Sequence, residues 1–296
     1  MARRLSLSAR RARIAWAFMA PSVLILLAVA AYPLFRTFQL SLFRANLLDY
    51  PLRPEWVGLA NYAYMVQDLY WWTSVKNTVI FTVASVSLET VLGLGVALLV
   101  NAKFPLRGMM RTAMLIPWAI PTVVSAQMWR WMYNDVYGVI NDLLLRVHLI
   151  AKPVAWLADP HLVLPAIIAV DVWKTTPFMA LLLLAGLQSI PEELYEAARV
   201  DGASGVQQFW FITLPLLVPA LLVALIFRTL DALRVFDVIY VMSGVNPSTM
   251  SMSVYARQQL VDFGDLGYGS ALSTGIFFII ALFVALYLSV LRVEVD

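Results

Sequence analysis

Ser189-Ile190-Pro191-Glu192-Glu193-Leu194-Tyr195-Glu196-Ala197-Ala198-Arg199-Val200-Asp201-Gly202-Ala203-Ser204-Gly205 lies between two long apolar runs and continues through Phe209-Trp210-Phe211-Ile212-Thr213-Leu214-Pro215. Its local chemistry predicts two short helices meeting at a sharp angle. Ser189 caps the first, Glu192 three residues on completes a capping box, and Pro191, Glu192 and Glu193 suit the first turn. Gly202 ends that helix where a positive φ is cheap, Ser204 caps the second, and Pro215 opens the next element. Glu193, Ala197 and Val200 share one side, and Ala197 with Ala198 leaves a stretch without bulk on which another protein can approach closely. An amphipathic linker resting on a bilayer would satisfy the same pattern.

The flanking sequence belongs in a membrane. Of 296 residues 61% are hydrophobic and 13% charged, with a mean hydropathy of +0.79, where soluble domains carry about 25% charged residues. Runs of about 20 apolar residues, the length that crosses the hydrocarbon core as a helix, fall at 14–35, 78–100, 112–133, 161–187, 213–233 and 270–291. Backbone amides in lipid must be satisfied within the segment, so each run is predicted helical. The expectation is an all-α integral membrane protein of six transmembrane helices, one membrane domain over 1–296, with both termini on one side.

Charge sets the orientation. Five of the 21 basic residues (Arg3, Arg4, Arg10, Arg11, Arg13) fall in the first 13 positions. With the N-terminus inside, the inner segments 1–13, 101–111, 188–212 and 292–296 hold ten Lys/Arg in 54 residues, against eight in an outer length about twice as great, the positive-inside bias. The apolar stretch after the basic cluster exceeds a signal-peptide core, so it reads as an uncleaved span. Tyr70-Trp71-Trp72 before the second span and Trp129, Trp131 and Tyr133 closing the third suit interfacial belts.

The loop resembles the EAA-loop signature of ABC importer permeases: Glu-Ala-Ala, three residues, Gly, nine residues, Ile-x-Leu-Pro, here Glu196-Ala197-Ala198, Gly202, Ile212, Leu214 and Pro215. Pro117-Trp118-Ala119-Ile120-Pro121, Trp173-Lys174-Thr175-Thr176-Pro177-Phe178 and Phe227-Arg228 through Phe236-Asp237 look like the carbohydrate branch, of the maltose and trehalose permease type. Ser243-Gly244-Val245-Asn246-Pro247 departs from the Gly-Gly-Pro turn of many relatives. The resemblance implies a maltose-transporter-type fold in a bacterial or archaeal cell (inner) membrane, both termini cytoplasmic. Glu196, Ala197, Ala198, Asp201 and Gly202 would couple to two ATP-binding subunits that carry ATP and Mg, this chain holding no cofactor. It further implies a second permease, usually a paralogue, and an extracytoplasmic sugar-binding protein.

Glu89, Arg130, Asp171, Lys174, Arg228 and Asp231 lie in or at the edges of the spans. Asp, Lys or Arg at a span's centre costs about 2.5–3.5 kcal/mol on insertion scales, so these groups face protein or a wet cavity. One account pairs them on their own helices at i,i+3, Asp171 with Lys174 and Arg228 with Asp231, leaves Glu89 as a packing partner, and has Arg130 snorkel to the interface. The other builds a sugar site from charged donors and acceptors beside aromatic faces. On that account Asp171 stands beside Trp173 and near Phe178, and Arg228, Asp231 and Arg234 follow one another at i, i+3 and i+6; the family resemblance implies that such a site falls near Ser125, Asp171, Lys174, Thr175, Phe178, Arg228, Ala232 and Val235.

No Gly-x4-Gly-Lys-Ser/Thr phosphate loop occurs, so the motor is expected on another polypeptide. With no cysteine and two histidines, neither disulfides nor most metal sites are expected, and nothing points to nucleic acid. The competing class is a secondary transporter using Glu89, Asp171 and Asp231 as ion sites, against which stand the intact loop and the absence of an evident inverted repeat. A six-span channel or scaffold has no use for a docking loop.

Overall fold

The computed structural model describes residues 7–49 and 53–290, which fall into two compact units. The first comprises the chain up to Gln67 together with Ala256–Gly275. Its leading helix runs as α1 (Leu7–Leu26), a π-helical turn (Leu27–Ala31) and α2 (Tyr32–Leu40). Trp16, Phe18, Leu24 and Val29 along it are exposed, the surface a lipid-facing helix presents. A two-stranded antiparallel pair follows, β1 (Phe43–Arg44) with β2 (Glu55–Trp56), and then α3 (Ala60–Gln67). Tyr64 of α3 meets Tyr268 edge-on, with centroids 4.9 Å apart.

The second unit comprises Asp68–Tyr255 and the chain from Ile276. Asp68 caps α4 (Leu69–Asn101) by accepting from the Tyr70 amide at 2.8 Å. The helix therefore starts before the aromatic trio, whose middle member, Trp71, is buried. The predicted third span is broken into α5 (Arg107–Ala113), α6 (Ile116–Ala119) and α7 (Thr122–Met132). Pro121 separates α6 from α7. It lacks an amide proton and forces Ile120 into an extended conformation with ψ 133°. Beyond α8 (Val139–Arg146) come α9 (Val163–Gln188), α10 (Glu192–Val200), α11 (Gly205–Gln208), a π-helical turn (Phe209–Thr213), α12 (Leu214–Leu233) and α13 (Asp237–Ser243). Finally α14 (Met252–Arg257) and α15 (Leu266–Val290) run across both units.

Among the described residues, five stretches are long and apolar enough to cross a membrane: Arg11–Leu40, Leu69–Asn101, Val163–Gln188, Gly205–Leu233 and Leu266–Ser289. The sixth expected crossing is the broken segment α5 to α7, too interrupted to qualify as one helix. Arg3, Arg4 and the expected inner segment 292–296 lie outside the described residues.

The core of the second unit is the bundle of α4, α9 and α12. Ala97 and Val100 of α4, Met179, Leu183 and Leu187 of α9, and Leu217 and Ala224 of α12 are all buried in it. Small residues permit the approach. A Cβ at Gly93 would lie 2.7 Å from the Met179 side chain, and one at Gly186 only 2.4 Å from Ala220 Cβ. Lipid offers helices no hydrophobic drive to associate, so close van der Waals packing of this kind supplies much of it.

Candidate functional site

Arg228 of α12 projects from this bundle into a nest of carboxylates. Its Nε and Nη2 donate to Glu89 of α4, the Nη2 contact to Oε1 being 3.0 Å; Nη2 also donates to Asp171 of α9, and Nη1 reaches Asp231 Oδ2 at 3.0 Å. The Arg228 and Glu89 side chains are 3% and 0% exposed. Thr175 Oγ1 lies 2.6 Å from both Glu89 Oε1 and the Asp171 carbonyl, and its single proton serves one or the other. One guanidinium thus ties three helices. Such an array is tolerable in a low dielectric because the charges are paired and hydrogen-bonded.

The i,i+3 expectation holds for Arg228 with Asp231 but not for the other pair. Asp171 takes Arg228 as its ion-pair partner, while Lys174, also buried, donates to the Trp118 carbonyl at 3.3 Å. That carbonyl lies in the residues freed where the third span breaks, an acceptor that a continuous helix would have consumed. Arg234 reaches Asp231 at 3.4 Å on the exposed side.

Beside this cluster lies a cavity of about 310 Å3, lined by Asp171, Lys174, Thr175, Arg228, Asp231, Ala232, Arg234 and Val235, together with Phe81, Trp118, Thr122 and Phe236 to Val238. An adjoining hollow of about 250 Å3 shares Trp118, Thr175, Arg228, Asp231 and Arg234 and adds Phe178 and Phe227. Trp118 stacks on Phe178 at 5.6 Å, with 13° between ring planes. Two anticipated residues lie off both cavities. Trp173 packs edge-on against Trp129 at 5.3 Å, and Ser125 is buried with no hydrogen-bond partner for its hydroxyl. The Trp129–Trp173 contact joins α7 to α9. Trp118, Phe236 and Asp237 are lining residues that the sequence reading left out of the site. Arg130 donates to the Val241 carbonyl at 3.3 Å.

The loop between α9 and α12 folds largely as its sequence requires. Gly202 adopts φ +82°, and the Ala203 amide reaches back to the Ala198 carbonyl at 2.8 Å, closing α10. Ser204 and Gln207 form a reciprocal capping box on α11. Ser189 does not cap α10. It ends α9, its hydroxyl donating to the Gly186 carbonyl at 2.7 Å, and the extended Pro191 stands at the N-cap instead. A proline before the first turn sets the extended entry by itself and leaves Glu192 free to meet Lys103 at 2.6 Å. Tyr195 hydrogen-bonds Thr213 at 3.0 Å, tying α10 to the foot of α12. Glu196, Ala197, Val200 and Asp201 remain exposed, and Ala198 is half-buried.

Membrane-crossing helices around a polar cavity, with a small-residue helix presented from the loop between two of them, define a transport subunit driven through another protein. The chain belongs to the family of binding-protein-dependent transport system inner membrane components, whose family model matches residues 89–294. It is 46% identical over 289 residues to the trehalose/maltose transport system permease protein MalF of Thermococcus litoralis, covering 97% of this chain and 96% of that one. It is 40% identical to the trehalose transport system permease protein SugA of Mycobacterium tuberculosis, covering 93% and 88%. The permease fold is shared with a bacterial ABC transporter that imports the acidic polysaccharide alginate, at TM-score 0.83, 23% identity and coverage of 97% and 98%. The chain is accordingly a non-catalytic, multi-pass permease component of a binding-protein-dependent ABC transport system, in which a separate ATPase hydrolyses ATP. Its partners are the other components of such a system. The ion-driven reading of Glu89, Asp171 and Asp231 is not favoured.

Proposed function

We propose that the chain forms the translocation path for a disaccharide of the trehalose or maltose kind, with the cavity beside Arg228 as its sugar site and Glu196, Ala197, Ala198, Asp201 and Gly202 as its contact with the ATPase. The observation that carries the reading is the cavity itself. Its volume of about 310 Å3 falls at the low end of the ~300–1,000 Å3 range of small-ligand pockets. Asp231, Arg234 and Lys174 offer hydroxyl-binding groups at its wall, Arg228 with Asp171 and Thr175 forms a polar floor, and Trp118 supplies a flat face for a pyranose ring. The sugars named for the relatives at 46% and 40% identity support the substrate class. In this reading the whole chain serves as one permease domain, without a cofactor of its own. It sits in a bacterial or archaeal inner membrane with both termini and the 189–215 loop in the cytoplasm, beside a paralogous second permease, two ATPase subunits and an extracytoplasmic binding protein.

The test is uptake of labelled trehalose and maltose into proteoliposomes containing the complete transporter and its binding protein. ATP-dependent, vanadate-sensitive uptake is expected, insensitive to ionophores. Trp118→Ala should raise the half-saturating sugar concentration about fivefold, the equivalent of ~1 kcal/mol of aromatic contact, and Trp118→Phe should restore most of it. Uptake collapsed by an ionophore, or wild-type kinetics in Trp118→Ala, would defeat the proposal.

A further inference from the structure

A second built cavity lies where two spans end, at the opposite end of α9 from its N-terminal Val163. It measures about 320 Å3 and is lined by Lys103, Arg107, Arg111, Gln188, Glu192 and Arg199, among others. Four cations face one carboxylate, an excess of three that equals the formal net charge of the whole chain. Part of this charge has a structural use. Arg111 donates to the Val100 carbonyl at 3.1 and 2.9 Å, closing the C-terminal end of α4, and Lys103 is engaged with Glu192. Cations at helix C-termini complement the helix dipole, which accounts for these two. Arg107 and Arg199 have no such bond among the described residues, and they are the pair left to bind something.

The surroundings identify what that is. The cavity sits at the last residues of two helices long and apolar enough to cross a membrane, Asn101 of α4 and Gln188 of α9, and the ends of spans are where lipid headgroups meet a protein. On the connection into α5, Leu106 and Met109 are 74% and 71% exposed beside Arg107. Leu106 also holds a left-handed φ of +66°, a conformation that a residue with a branched side chain rarely adopts. A soluble anion gains nothing from this exposed apolar rim, whereas a phospholipid places its phosphate among the cations and its acyl chains along the rim. Basic pockets between the ends of transmembrane helices are a recurrent setting for anionic headgroups. We infer that the cavity between the ends of α4 and α9 binds the headgroup phosphate of an anionic phospholipid, with Arg107 and Arg199 as its principal ligands.

The experiment is native mass spectrometry of the purified full chain titrated with phosphatidylglycerol, phosphatidylcholine or inorganic pyrophosphate. Phosphatidylglycerol adducts are expected at concentrations at least tenfold below those for phosphatidylcholine. A cation near an anionic headgroup contributes about a fivefold factor in affinity. Arg107→Gln should therefore weaken phosphatidylglycerol binding about fivefold and Arg107→Gln with Arg199→Gln about 25-fold, while the double lysine variant retains most of it. Arg146→Gln, which breaks only an exposed pair with Asp142, should leave it unchanged. Any of four results overturns the inference: equal binding of the two lipids, indifference to the double glutamine variant, an equal loss in Arg146→Gln, or pyrophosphate binding without selective lipid binding. Displacement of the lipid by stoichiometric ATPase subunit would do the same, since the cavity would then be a protein interface.

Discussion

Replacing Arg228 by methionine tests the charge nest most directly. The substitution keeps the length and apolar stem of the side chain but removes the cation shared by Glu89, Asp171 and Asp231. Two buried carboxylates would then face Lys174 as the one buried cation nearby, and Lys174 is bonded to Trp118 rather than to either acid. Breaking a buried pair from one side costs about 3–5 kcal/mol. For a chain of this size 1 kcal/mol corresponds to roughly 2–4 °C, so the midpoint of thermal unfolding should fall by at least about 6 °C, with a matching loss of monodisperse complex on size exclusion. Glu89→Gln combined with Arg228→Met removes one charge of each sign and should recover a substantial part, giving an interaction energy above about 1 kcal/mol in the double-mutant cycle. Lys174→Met combined with Arg228→Met should recover nothing. If Arg228→Met matches the wild type, or if Lys174→Met is the change that rescues an Asp171→Asn variant, the nest does not hold these helices and the pairing within α9 was the correct one.

Gly202→Val should insert and purify normally yet lose roughly tenfold in ATP-driven uptake. Nothing lies within 4 Å of a Cβ placed there, so the penalty comes from φ +82° alone, and Gly202→Asn, better tolerated at positive φ, should retain more activity. Since the chain has no native cysteine, one introduced at Ser204 should resist impermeant thiol reagents in right-side-out cells while one at Ser248 reacts; labelling at Ser204 would reverse the orientation. The Lys103 ammonium holds the exposed Glu192 carboxyl below its ordinary range. The tether between α4 and α10 is therefore present above the ordinary glutamate value, near 4.3, and is lost as pH falls through the depressed one. Carboxyl-carbon NMR should show Lys103→Met returning that titration upward, and an unchanged curve would rule the contact out.

Much of the docking loop was legible because its determinants are local. Gly202 and Ser204 act on backbone atoms within a few residues, and composition alone marked the apolar crossings. What escaped were relations across the chain. Asp171 and Lys174 stand three apart and invite pairing, but Arg228, 57 positions from Asp171 and 139 from Glu89, offers two donors at once where a lysine offers a point charge. The third span read as continuous because hydropathy does not register that Pro121 withholds an amide. Lys174 meets the Trp118 carbonyl beside that break, so one backbone event accounts for two departures. Ser189 was misjudged for a nearer reason, since Pro191 already fixed the extended entry that a capping serine would have provided.

The sharing of one guanidinium among α4, α9 and α12 also has a mechanical meaning. Drawing any of the three away by a few ångströms would break a charge pair at the buried Arg228 guanidinium, so the three resist separation and are expected to move together. Compliance belongs where the hydrogen-bonded ladder is already interrupted, between Ala119 and Thr122. Under the proposed coupling, a pull on α10, itself tied to the foot of α12 through Tyr195 and Thr213, would move a block against a hinge.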